Sequence, residues 1–107
     1  MQNINLSGTL LKDAETGTDK NGKTYVRFTI TCGWNDQYNR TQYTHYLCTC
    51  YIKGYDSLKK GDQVFVNGEQ RATIEYDNSG KAYLNLHVMV FNINRGYRAS
   101  ERAARNK

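Results

Sequence analysis

Between polar and glycine-bearing stretches the chain alternates apolar with polar residues at period two, the pattern of strands that bury one face. INLSGTLLK, from Ile4 to Lys12, puts Ile4, Leu6, Gly8 and Leu10 on one side, with Gly8 suited to a bend or a close backbone approach. After a polar loop carrying Gly17 and the turn pair Asn21-Gly22, KTYVRFTITCGW sets Val26, Phe28, Ile30 and Cys32 inward against Tyr25, Arg27, Thr29 and Thr31 outward. NDQYNRTQ reads as a projecting loop. In YTHYLCTCYIK the period places Tyr46, Cys48, Cys50 and Ile52 on a core face. Tyr43, His45, Leu47, Thr49, Tyr51 and Lys53 then share a half-polar face that carries rings. YDSLKKG can hold one helical turn, too short to stand alone. DQVFVNGEQRATIEY brings Val64, Val66, Gly68, Ala72 and Ile74 into phase, with Phe65, Arg71 and Thr73 opposite. A turn at Asn78 to Gly80 returns the chain as KAYLNLHVMVFNI, with Leu84, Leu86, Val88 and Val90 inward and Tyr83, Asn85 and His87 outward.

The expectation is an all-β domain of five strands with a helical turn between the third and fourth. That is the element order of the OB-fold, a Greek-key barrel that binds oligonucleotides and oligosaccharides across one face. The absence of proline and the glycines within strands suit a strongly curled sheet. Periodicity alone also admits other small barrels.

A chain of 107 residues has room for one modest core. No apolar run approaches the length of a membrane span and no secretory leader is visible, so a cytoplasmic protein with no membrane partner is expected. Cys32, Cys48 and Cys50 are odd in number and lack paired zinc spacing, which favours buried thiols over a metal site built from Cys48, Cys50 and His45. The net charge of +5 is unevenly spread: residues 1 to 94 hold ten Lys/Arg against nine Asp/Glu, and residues 95 to 107 hold five against one. Bulk attraction therefore does not explain nucleic-acid binding by the folded part, and local placement must. No nucleophile–base pair, phosphate-cradling loop or metal spacing is visible, and neither catalysis nor a cofactor is expected.

Several stretches together resemble the bacterial and phage single-stranded DNA-binding proteins. NLSGTLLKDAE is similar to that family's first strand and acidic loop, and GKTYVRFTI to its second strand. LKKGDQVFVNGEQR resembles its turn and fourth strand, and YDNSGKAYLNLHVMV its last hairpin. The resemblance spans residues 4 to 93. It implies an OB-fold that stacks bases on exposed rings and follows phosphates with basic side chains. Trp34 falls where the family has a stacking tryptophan, although it is also in phase with Phe28, Ile30 and Cys32. On the third strand the family's tryptophan falls on Leu47 and a later phenylalanine on Lys53, leaving Tyr43, His45 and Tyr51 as substitutes. On the last hairpin Glu75 stands where relatives have a ring, with Tyr76 beside it. The implied interface comprises Trp34, Tyr43, His45, Tyr51, Tyr76 and Tyr83, with Arg27, Lys53, Arg71 and Lys81 toward phosphate. Lys59 and Lys60 are read as solubility charges.

The resemblance implies a sequence-tolerant coat for single-stranded DNA, or RNA in competition with it, in replication, recombination or repair. Brevity, with no acidic C-terminal tip, suggests a phage or mobile-element type. A homodimer or homotetramer is implied, with replication or recombination proteins as further partners. The alternative is an accessory module, resembling the short dimeric replication-restart protein, that docks a helicase or primase and binds DNA weakly. The C-terminal RGYRASERAARNK departs from the family and is expected to be a flexible basic arm that adds salt-sensitive attraction; as a helix it would align Arg98, Arg102 and Arg105.

Overall fold

The computed structural model describes residues 2–100. Its strands are β1 (Gln2–Leu10), β2 (Glu15–Thr18), β3 (Thr24–Asn35), β4 (Thr41–Cys50), β5 (Gln63–Tyr76) and β6 (Ala82–Arg95). β5 pairs antiparallel with β1 on one side and with β6 on the other. β6 meets β4 in parallel through His87 to Met89 against Leu47 to Thr49, and β4 pairs antiparallel with β3. Thr9 and Leu10 of β1 then pair with Thr31 and Ile30 of β3, which closes a five-stranded barrel. One parallel contact within an otherwise antiparallel closed sheet is the strand order of the OB-fold.

Closure depends on two glycines where strands press together. A Cβ at Gly8 would stand 2.7 Å from the Thr31 carbonyl oxygen, and one at Gly68 would collide with the backbone oxygen of Met89. The β5–β6 register slips at Asn67/Gly68, so that Asn67 faces Asn92 while Gly68 faces Val90, a bulge that bends the barrel wall. Inside, Leu10, Val26, Phe28, Ile30, Cys48, Cys50, Val64, Val66, Val88, Val90 and Ile93 form one buried cluster. All but Ile93 are the in-phase residues of the alternating segments, and Ile93 turns inward because the bulge shifts the phase of β6 after Val90.

Several expectations change. The loop bearing Gly17 is not irregular: Glu15–Thr18 form β2, which flanks β3 from Thr24 to Arg27 and leaves the barrel itself five-stranded. The connector between β4 and β5, expected to hold one helical turn, contains hydrogen-bonded turns, Leu58 N–H to Tyr55 O and Asp62 N–H to Lys59 O. Its Leu58 is buried in the barrel cluster. Ile52 is exposed because β4 ends at Cys50, which releases the next residues from the alternation. Ala72, Ile74 and Leu84 keep their phase but not their burial, for the β5–β6 hairpin runs past the barrel; Ile74 and Leu84 are 62% and 65% exposed.

The barrel's contacts reach to the end of the described residues. Gln63 pairs through its backbone with Gly96 and Tyr97, and the buried carboxylate of Asp62 accepts the N–H groups of Lys59 and Ala99 at 2.9 Å each. Arg95 donates to Gly54 O and Ser57 Oγ at 2.8 Å. Arg102 and Arg105 lie outside the described residues. Lys59 sits 3.9 Å from the Asp13 carboxylate on the surface.

Candidate nucleic-acid interface

Unbroken register between β3 and β4 fixes which side chains share a face, because cross-strand partners point the same way. The outer face carries Gly33 beside Tyr43, Thr31 beside His45, Thr29 beside Leu47 and Arg27 beside Thr49. Tyr43 is 64% exposed, and its ring lies across Gly33, where an added methyl would rest 3.5 Å from Cε1. The opposite face carries Trp34 beside Gln42 and Cys32 beside Thr44. Trp34 is 50% exposed because the β3–β4 arm has left the barrel there, and its Nε1–H donates to Thr44 Oγ1 at 2.8 Å. Trp34 and Tyr43 are thus neighbours on opposite sides of one arm.

Three hairpin loops share a design. In each an aspartate side chain accepts the backbone N–H groups two and four residues on: Asp19 from Asn21 and Lys23, Asp36 from Tyr38 and Arg40, Asp77 from Ser79 and Lys81. The residue before each cation, Gly22, Asn39 or Gly80, has the left-handed backbone this turn requires. The accepted bonds hold all three carboxyls below their ordinary range: chiefly the Lys23 amide for Asp19, the Arg40 amide for Asp36 and the Ser79 hydroxyl for Asp77. The loop thereby aims a cation from its last position. Lys23 stands 4.9 Å from the Tyr51 ring centroid, Arg40 5.0 Å from that of Tyr38, and Lys81 5.4 Å from that of Tyr83.

At the barrel end of the outer face the rings of Tyr25 and Tyr51 meet edge to face at 5.9 Å, with Arg27 5.0 Å over Tyr25. The Tyr51 hydroxyl donates to Asp19 Oδ2 at 3.1 Å; desolvation first, and then that bond, raise its pKa. With Lys23 on its ring and Tyr25 at its edge, Tyr51 is a wall of the surface and not a free stacking platform. Lys23 and Lys53 line a cavity of about 370 Å³ beneath it. The arrangement supplies what an extended polyanion with flat bases needs: a ring at one end of a row and cations paired with rings at the other.

Where β4 and β6 diverge, beyond their short parallel contact, a groove of about 460 Å³ opens between Thr29, His45 and Leu47 on one side and Glu75 and Leu84 to His87 on the other. His87 lies within 3.3 Å of the Thr73 hydroxyl. His45 faces outward and Cys48 and Cys50 inward, so these three cannot share a metal ion. Burial, with Cys32 and Cys50 nearby, pushes the Cys48 thiol up to about 12, which leaves it a neutral core side chain.

A family model matches residues 1–96: the single-strand binding protein family. The chain belongs to this family. No curated protein matches the chain significantly. Membership joins the barrel to single-stranded DNA, the ligand of the family, and makes its exposed rings the natural places to look for base contacts.

The residues expected to act together fall into three groups. Tyr43 and His45 share the β4 outer face with Arg27, and Tyr51 and Lys53 adjoin its barrel end. Arg71, Tyr76, Lys81 and Tyr83 belong to the β5–β6 hairpin, where Arg71 is held by Glu69 at 3.3 Å and the Tyr83 hydroxyl donates to Asp77 at 3.1 Å. Tyr76 is highly exposed and sits on the same side of that hairpin as Ile74. Trp34 stands apart on the reverse of its arm. Sequence reasoning left out Lys23, Tyr38 and Arg40 as interface residues. The signal that could have found them is the repeated spacing of an aspartate four residues before a Lys or Arg at Asp19, Asp36 and Asp77.

Proposed function

We propose that this chain is a sequence-tolerant, non-catalytic coat for exposed single-stranded DNA, acting in the cytoplasm during replication, recombination or repair in the manner of a phage or mobile-element protein. The observation that carries this reading is the β3–β4 arm, with Tyr43 exposed on one face, Trp34 on the other, and ring-backed cations Lys23, Arg27 and Arg40 along it. Rings of this kind stack any base, and cations of this kind follow any phosphate, so neither demands a sequence. Rings on both faces suit a strand that wraps the arm and not one that crosses a flat sheet.

Self-association belongs to the same reading. β1 pairs with β5 along one edge, but its other edge meets β3 only at Thr9 and Leu10. The remaining edge, Gln2 to Gly8, contains no charged residue and no proline, the devices that normally keep strand edges apart. A second copy pairing there would form a homodimer and bring two arms to one DNA strand, which raises avidity without new contacts.

The test is titration of labelled oligo-dT and of a matched duplex at two salt concentrations. Tight, stoichiometric binding of the single strand, weakened by salt and weak for the duplex, is the expected result. Weak binding of both would overturn the coating reading in favour of an accessory module that docks replication proteins.

A further inference from the structure

The groove between β4 and the β5–β6 hairpin combines apolar walls with a single carboxylate. Thr29, His45, Leu47, Leu84, Asn85, Leu86 and His87 line it together with Glu75, and among the described residues no lysine or arginine does. Its one carboxylate is therefore not balanced by a cation of the lining. Arg71, on the same face of the hairpin, pairs across the strands with His87 but is engaged by Glu69 at 3.3 Å. The volume of about 460 Å³ lies within the range of small-molecule clefts, roughly 300–1,000 Å³, and the mix of apolar walls with a few polar groups is typical of them. Among the described residues, no strand pairs with the β4-facing edge of β6 from Ala82 to Leu86, so backbone N–H and C=O groups also border the groove.

Among the described residues such a groove offers phosphate no lysine or arginine, and its walls suit a flat group whose rim offers N–H donors. Leu47, Leu84 and Leu86 can cover the faces of a base, while Glu75 can only accept hydrogen bonds. Bases differ in what they offer a carboxylate. Cytosine and adenine each present an exocyclic amine, and guanine presents an amine beside its ring N–H. Thymine presents a single N–H set between two carbonyl oxygens, and both of these repel a carboxylate.

We propose that this groove is a base subsite in which Glu75 selects bases carrying an exocyclic amine over thymine. The inference rests on the coating function proposed above and adds a bias to binding that is otherwise indifferent to sequence. Glu75 acts as a specificity residue that touches the base edge, with Asn85, His45 and His87 as hydrogen-bonding neighbours.

The experiment compares oligo-dC with oligo-dT of equal length by competition anisotropy, for the full chain and for Glu75→Gln, a substitution of nearly equal shape at an exposed position. The expected result is that the preference for oligo-dC over oligo-dT falls about tenfold in Glu75→Gln, because the amide also donates to the thymine carbonyls. An unchanged ratio, including one in which both oligomers tighten in parallel through loss of a negative charge, would overturn the proposal while leaving the coating function standing. Failure of the unsubstituted chain to bind either oligomer would overturn the coating function and this subsite with it.

Discussion

Trp34 donates its indole N–H to Thr44 across the β3–β4 arm, and the bond holds the ring on the side opposite Tyr43. A nucleic acid that touches both rings must therefore pass around the arm, and the two residues meet different nucleotides.

Independent contacts give additive losses. Trp34→Ala and Tyr43→Ala are each expected to weaken oligo-dT binding by about 1–3 kcal/mol. Their double variant should show the sum to within about 0.5 kcal/mol, as for sites without shared partners. Anisotropy titrations measure all three. A double variant no weaker than the worse single would mean that the two rings serve one contact.

The three aspartate loops respond to acid. Asp19, Asp36 and Asp77 have depressed folded pKa values, so the stability they contribute is complete above the ordinary unfolded value of about 3.9 and is lost as pH falls through the folded values. Amide hydrogen exchange at Lys23, Arg40 and Lys81 is expected to stay slow at neutral pH and to lose protection below about pH 4, while Ile30 in the barrel remains protected. Loss of loop protection near pH 6 would assign the effect to another group.

Gly68 tests the closure of the barrel. Because a methyl there meets the Met89 backbone as well as the Val88 side chain, and backbone cannot rotate away, Gly68→Ala should destabilise the fold by about 1–3 kcal/mol, read as a lower urea midpoint. A midpoint equal to that of the unsubstituted chain would show that the bulge absorbs the methyl.

The edge of β1 that has no strand partner among the described residues predicts its own disruption. Asn3→Lys combined with Asn5→Lys places like charges on facing copies of the strand and should shift the chain toward monomer in sedimentation, with the thermal midpoint measured alongside. Both residues already face solvent. An unchanged assembly would locate the contact on another surface.

Much of the barrel was legible because a buried face repeats at the period of the strand. Val26, Phe28 and Ile30, or Val64 and Val66, have to point one way in any sheet, and water excludes them from the other. The same alternation misjudged Ile74 and Leu84, since phase shows which side a residue faces but not whether anything covers that side. It also missed β2: ETGT has little apolar content, and its pairing is set by the neighbouring backbone of β3. The interface was legible as residue types. Tyr43 and Trp34 stood out as rings, but the eight residues between them in sequence conceal that they sit on adjacent strands and opposite faces.

By itself, the sequence determined a single small β-barrel, the inward phase of its strands and the family motifs, because alternation, turn residues and glycines act within a few bonds along the chain. Only the tertiary structure decided that Gly8 and Gly68 lie against other backbones, that Tyr51 is occupied by Lys23 and Tyr25, and that Glu75 comes to stand across a groove from His45. Those relationships depend on how far two hairpins extend beyond a closed sheet and how they diverge, and that is set by register, bulge and twist acting over the whole barrel.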